Sequence, residues 1–133
     1  MRIEDLLAQA RAGLERLTPQ QALAAMERGE AVMVDIREQH HRERDGHVPG
    51  AVEIARNVLE WRCDPGSEWR DERVSDPERV VVVMCDEGYQ SSLAASNLQR
   101  IGLAKATDMD GGFRAWLAAG LPVTASENGS HSR

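Results

Sequence analysis

The chain predicts an α/β domain, a parallel sheet with helices on both faces. Three observations carry the prediction. Runs of β-branched residues alternate with stretches of helical periodicity along the chain. Val80 to Val83 is apolar at every position, the pattern of a strand covered on both sides. The stretch VVVVMCDEGYQSS, residues 80–92, reads as that strand, a tight loop and a helix N-terminus in succession.

The elements follow in order. Ile3, Leu6, Leu7, Ala10, Leu14 and Leu17 recur at helical spacing, so residues 2–16 are expected to form an amphipathic helix. Thr18 is placed to cap the next helix, with Pro19 in its first turn and Gln21 completing a capping box. That helix stops at Gly29. A strand at 31–36 leads through a helical turn into the charged stretch HHRERDGH, residues 40–47. Residues 51–54 read as a short strand, 56–63 as a short helix and 64–78 as a long polar loop. Strand 79–84 delivers Cys85. Helix 91–101 presents Ala94, Leu98 and Ile101 on one face and ends at Gly102. Residues 106–109 are the last strand, and helix 112–119 carries Phe113, Trp116 and Leu117. Gly120 and Pro122 end it, and residues 125–133 read as a disordered tail.

Composition narrows the classes. A chain of 133 residues suits one domain, and 41% hydrophobic residues suffice for a core. No stretch approaches the ~18–20 apolar residues of a membrane span, and the N-terminus is amphipathic rather than a signal peptide. Two cysteines imply no disulfide framework, which suits a reducing cytoplasm. A net charge of −6 argues against nucleic acid and anionic membranes as partners. Asn128-Gly129-Ser130 matches a glycosylation acceptor, but nothing secretory accompanies it.

Cys85 is the candidate nucleophile. It lies where the apolar run stops, not inside it, which separates it from an inert core thiol. The C-terminal end of a parallel strand is where open α/β sheets place their sites. Inward-pointing loop amides and the positive end of the following helix favour thiolate over thiol.

Four features in order resemble the single-domain rhodanese family of sulfurtransferases. AVMVDIRE at 31–38 is similar to that family's opening strand followed by Asp, any residue and Arg. GHVPGA at 46–51 is close to its Gly-His-Ile-Pro-Gly-Ala, and GGFRAWLAAGLPV at 111–123 matches its closing pattern. Cys85 stands between them where the family has its cysteine. The resemblance spans about residues 17–124, leaving an extra N-terminal helix at 1–16 and the tail at 125–133. It implies a three-layer fold whose central parallel sheet has about five short strands.

The resemblance also implies the chemistry. Cys85 would take a sulfane sulfur as a persulfide and pass it to cyanide or another thiol, with no metal or organic cofactor. The backbone of Asp86, Glu87, Gly88, Tyr89, Gln90 and Ser91 would cradle the transferred sulfur. Active family members commonly carry basic residues in this loop, with Arg where Gln90 stands here. Asp86 and Glu87 make the loop acidic instead. Each carboxylate either points into water or opposes the thiolate by roughly 0.5–2 kcal/mol. An acidic loop should attract thiosulfate poorly, which favours a persulfide on a protein or small thiol as donor.

Other residues take supporting roles. Asp35 is expected to cap the turn after the first strand. Arg37 is expected to reach the pocket or, as the resemblance implies, to serve as a structural ion-pair partner. His47 is expected to organise the turn of GHVPGA. Arg56 and Arg62 flank the segment that lines the pocket in this family. Each is either the positive charge the loop lacks or a solvated arginine. His40 and His41 are adjacent, lack a third ligand and read as solvated surface. Cys63 reads as packing rather than a resolving thiol, and Tyr89 as a gate or a cover. Three functional classes follow. First is a sulfurtransferase or persulfide carrier. Second is a catalytically weak rhodanese-like binding module. Last is phosphatase or arsenate-reductase chemistry, which needs a longer loop and an arginine after it.

Overall fold

The structure, a computed structural model, describes residues 1–125. Four short strands, β1 (Ala31–Asp35), β2 (Val52–Glu53), β3 (Val80–Met84) and β4 (Thr107–Asp108), form one sheet in the order β2-β1-β3-β4. Every pairing is parallel. The sequence led to about five strands, and a single residue occupies the fifth place. Leu17 pairs with Met109 beside β4, its N–H donating to Asp108 O at 3.0 Å and its O accepting from Asp110 N at 2.8 Å. The pairing goes no further because Thr18 is already a helix cap and Pro19 has no N–H to give.

Successive strand residues point to opposite faces. Val32, Val34, Ile36, Val81, Val83 and Cys85 share one face, and Ala31, Met33, Val82 and Met84 the other. Helices α4 (Leu59–Cys63) and α5 (Gln90–Arg100) cover the first through Leu59, Cys63, Ala94, Ala95 and Leu98. Helices α2 (Pro19–Glu27) and α6 (Gly112–Ala118) cover the second through Ala22, Ala25, Phe113 and Trp116. Burying a side chain such as Leu98 or Phe113 completely stabilises the fold by ~1.5–3 kcal/mol. The Trp116 indole is buried without an orphan donor, because Nε1 donates to Pro122 O at 2.8 Å.

Capping chemistry sets the helix boundaries. Thr18 Oγ1 accepts from Gln21 N at 3.1 Å and Gln21 Oε1 from Thr18 N at 2.9 Å, the expected box. Helix α1 (Ile3–Ala12) is shorter than the expected 2–16, because the chain turns at Gly13. Leu14 and Leu17 share its periodicity but not its helix. Leu14 packs on the α4–α5 core from outside the helix, and Leu17 makes the bridge to Met109. Helix α1 rests on α5 and buries Ala10, whereas Ile3 is 61% and Leu6 43% exposed. Among the described residues only part of its apolar face therefore finds cover. Residues 56–63 are helical as expected, a 3₁₀ turn at Arg56–Val58 running into α4. The charged stretch forms α3 (Gln39–Asp45). Of the three apolar residues that the last helix carries, Phe113 and Trp116 are buried and Leu117 is exposed. The tail expected at 125–133 lies outside the described residues, apart from Ala125.

Candidate active site

Strand β3 ends at Met84 and carries Cys85 to the C-terminal edge of the sheet. Cys85 continues the alternation of Val81 and Val83, so it faces the α5 layer. Its Sγ accepts the backbone N–H of Gly88 at 3.2 Å and of Ser91 at 3.3 Å. The second donor belongs to the first turn of α5, where unpaired amides and the helix dipole favour negative charge. Both contacts direct the positive end of an N–H dipole at the sulfur, an arrangement that favours negative charge on it.

The glycine pair of the closing motif holds this loop. Phe113 N–H donates to Cys85 O at 2.8 Å and Arg114 N–H to Asp86 O at 3.0 Å, so the start of α6 docks on the loop backbone. A Cβ on Gly112, where φ is +61°, would stand 2.6 Å from Cys85 O and 2.7 Å from Gly88 N. Only glycine allows that approach.

Cys85 opens onto a cleft of about 310 Å³ lined by Ile36, Arg37, Glu38, His41, Arg56 and the loop side chains Asp86, Glu87, Tyr89 and Gln90. A larger hollow of about 690 Å³ lies at the opposite edge of the sheet, against Val80, Lys105 and Thr107, and holds no thiol. Chemistry, not volume, locates the site.

Some expected residues converge and some do not. Asp35 and Arg37 are both fully buried and ion-paired at 2.8 Å. Asp35 Oδ1 also accepts Arg37 N–H at 2.9 Å, capping the turn. Arg37 donates to Gly46 O at 2.9 Å and lies 3.7 Å from the centre of the Phe113 ring. It lines the cleft wall, but its charge is committed to Asp35. Arg56 also lines the cleft and is paired with Glu60 at 2.8 Å. Arg62 does not reach the cleft: it donates to Trp69 O at 2.9 Å and faces Asp71 at 3.7 Å. His47 stands apart from the thiol. Its N–H and O pair with Thr124 at 2.8 Å each, and its ring bonds Glu53. His41, read as solvated surface, is half-buried in the cleft wall. Cys63 is fully buried, and burial, with Glu60 and Asp71 nearby, pushes its thiol up to about 12 against the opposing charge of Arg62. It is an inert core thiol.

Four further residues bear on the loop. Arg114 faces Asp86 at 3.2 Å and Asp45 at 3.1 Å, so one of the two loop carboxylates is already paired. Asp108 is fully buried behind the loop, where Oδ2 accepts Ser91 Oγ–H at 2.8 Å and Ser92 Oγ–H at 2.7 Å. Arg16 donates to Asp108 Oδ1 at 2.9 Å and to Gly88 O at 3.0 Å. Burial opposes its charge, but the hydrogen bond and charge of Asp108, with Asp110 and Cys85, outweigh that and hold its guanidinium above the ordinary value. Arg11 donates to Gly88 O at 2.7 Å and to Ser92 Oγ at 3.0 Å, and its guanidinium lies 5.5 Å from the Tyr89 ring centre. Sequence carried two signals for them. Asp108 interrupts a strand, and Arg11 falls on the Ile3–Leu7 stripe at a spacing of four.

Among the described residues no helix is long and apolar enough to cross a membrane, and no cluster of His, Cys, Asp and Glu can hold a metal ion. The chain is similar to a protein of unknown function from Rhodopseudomonas palustris, a possible tyrosine phosphatase. Identity is 35% over 93% of this chain and 95% of that one, with a TM-score of 0.84. The homodimeric polysulfide-sulfur transferase of Wolinella succinogenes matches 98% of this chain and 92% of its own at 24% identity, TM-score 0.74. A rhodanese-related protein of Thermoplasma volcanium matches 84% and 98% at 20% identity, TM-score 0.66. At those identities the last two speak for the fold alone. The rhodanese-like domain model matches residues 18–119, nearly the whole sheet and its covering helices, and the chain belongs to that family.

Proposed function

We propose that this chain is a sulfurtransferase that carries sulfane sulfur as a persulfide on Cys85. The observation that carries the reading is the pair of backbone N–H groups on Cys85 Sγ at the floor of an accessible cleft. The Cys85 thiolate attacks the outer sulfur of a donor persulfide. A bond forms between Sγ and that sulfur, the donor's sulfur–sulfur bond breaks, and the donor leaves as a thiolate with the bonding pair. The proton of the outer sulfur goes to the leaving thiolate or to water. An acceptor thiolate or cyanide then attacks the terminal sulfur, and the electron pair returns to Sγ. No oxidant or reductant enters, and the loop amides stabilise the charge at each stage.

The donor class follows from the rim. Glu87 is exposed at the mouth, Gln90 stands in place of a cation, and Arg56 is tied to Glu60. Such a rim draws in anions such as thiosulfate weakly. A persulfide held on a small thiol or a protein fits better. Phosphatase chemistry, the description borne by the Rhodopseudomonas relative, needs a guanidinium on the phosphoryl oxygens. The loop from Cys85 to Ser91 contains none, and Arg114 beside it is held by Asp86 and Asp45.

Mass spectrometry after incubation with a small-molecule persulfide tests the reading. Cys85 should gain one sulfur atom and lose it to cyanide or a thiol. Cys85→Ser should abolish both events, and Cys63→Ser should change neither more than about twofold. Absence of the sulfur adduct on Cys85 with every donor class leaves the binding-module reading in its place.

A further inference from the structure

Residues ahead of the family-matched stretch reach the sulfur site. Gly88 is the hinge of the contact. Its N–H faces Cys85 Sγ at 3.2 Å, while its O, on the other side of the same residue, receives Arg11 at 2.7 Å and Arg16 at 3.0 Å. Gly88 has φ of +90° and no side chain to hold it, so external bonds decide its orientation. The two arginines also differ in charge balance. Arg16 is offset by Asp108 and Asp110. Arg11 has only neutral partners among the described residues, namely Gly88 O, Ser92 Oγ and the Tyr89 ring. It is an uncompensated cation behind the loop.

We propose that α1 and the segment following it complete the sulfur-transfer site, with Arg11 and Arg16 as positioning residues that lock Gly88 with its N–H on Cys85 and set positive charge behind the thiol. The cation missing from the loop itself is then supplied from the N-terminal extension. It acts on sulfur already bound to Cys85 rather than on an incoming anion, because both guanidinium groups lie on the side of Gly88 away from the cleft and neither lines it. This placement reconciles an acidic rim with a stabilised thiolate. The inference rests on Cys85 being the sulfur carrier, and its test does not require sulfur.

The test is the pH dependence of Cys85 alkylation by iodoacetamide, read on the Cys85 peptide by mass spectrometry. Many charges face this thiol: Asp86, Glu87 and Tyr89 on its loop, Arg37 and Glu38 from the turn between β1 and α3, and His41 from α3. Arg56 comes from the 3₁₀ turn, Asp108 from β4 and Arg114 from α6. All are unchanged in Arg11→Gln, so the difference between profiles reports Arg11. Alkylation at pH 7 should slow roughly three- to tenfold, with the same limiting rate at high pH. Arg11→Lys should recover most of the loss, since charge returns without the fork. Arg16→Gln leaves Asp108 buried without its counter-charge, so it is read in the Asp108→Asn background, where a similar slowing is expected. Profiles of Arg11→Gln that superimpose on the wild type overturn the inference even if Cys85 carries sulfur. A shifted profile with no persulfide on Cys85 upholds the clamp and overturns the sulfur-carrier reading instead.

Discussion

Replacing Gly112 by alanine should damage the cysteine loop through a gap of known size. A Cβ at this position would lie 2.6 Å from Cys85 O, 2.7 Å from Asp86 O and 2.7 Å from Gly88 N. Ordinary contact begins at 3.4 Å, so loop and helix must part by about 0.7–0.8 Å. The clashing atoms are backbone and cannot rotate away. The left-handed φ of +61° adds about 1–2 kcal/mol for any residue with a side chain. With overpacking of about 1–3 kcal/mol, the total is about 2–5 kcal/mol, or roughly 8–20 °C in Tm for a domain of this size. The added carbon also presses on Gly88 N, whose N–H lies 3.2 Å from Sγ, and so disturbs that bond. Losing one such donor should lower sulfur transfer by roughly 10- to 100-fold. Gly120→Ala is the control, with φ of +71° and nothing within 4 Å of the added carbon. It should lose only the strain and keep full activity. Calorimetry and a persulfide-to-cyanide assay on both variants decide the matter. Equal Tm losses and equal activities would refute the idea that the glycine pair positions the loop.

Three more outcomes are expected. Arg37→Met should destabilise the fold by about 3–5 kcal/mol by leaving the buried Asp35 carboxyl without its partner, and Asp35→Asn added to it should recover part of the loss; denaturant titration that ranks the double variant below the single one would contradict this. Gln90→Arg should lower the thiosulfate KM at low salt and lose the gain as salt rises, and an unchanged KM would show that rim charge does not select the donor. The third concerns acid. Burial raises the Glu60 carboxyl, but bonds from Asn97, its own backbone N–H and Arg56 outweigh that and hold it below the ordinary range. A carboxyl lowered in the fold contributes stability above its unfolded value and loses it as pH falls through the folded one, so Tm should drop between about pH 5 and pH 3. Glu60→Gln should flatten that drop, and a wild-type Tm that rises on acidification would reverse the sign.

The parts of the molecule legible in the sequence are those encoded by neighbours along the chain. Thr18, Pro19 and Gln21 specify a cap within four residues, and they form it. Val80 to Met84 followed by Cys85 and Gly88 specify a strand, a thiol and a turn, and all three stand where the pattern puts them. Periodicity misled where a local breaker overrode it. Leu14 and Leu17 fit the helical stripe of α1, yet Gly13 ends the helix before them. The charges that surround the loop were illegible for a different reason. Arg11 meets Gly88 across 77 residues and Arg16 meets Asp108 across 92, and nothing in a linear pattern pairs them. Arg114 is the same case: it sits inside a recognised motif but neutralises Asp86, 28 residues earlier. The acidity read from the loop was therefore right in composition and incomplete in balance.

That balance explains how an acidic loop remains compatible with thiolate chemistry. Charges act on Cys85 by distance and by the medium between, not by sequence position. Asp86 is turned to Arg114 and Asp45's cluster at the flank, and Glu87 is exposed, where water screens it. The amides of Gly88 and Ser91 touch the sulfur directly, so their field is the least screened of all. Behind them stand two guanidinium groups bonded to the same carbonyl oxygen, partly withdrawn from water. The favourable terms are near and desolvated, while the unfavourable ones are distant, paired or wet. Residues 85–91 considered alone make a poor home for a thiolate. The same residues seated on α1, α5 and α6 gain the amides of a helix start and two guanidinium groups on the Gly88 carbonyl, and the order in which charges approach the sulfur is a property of the fold.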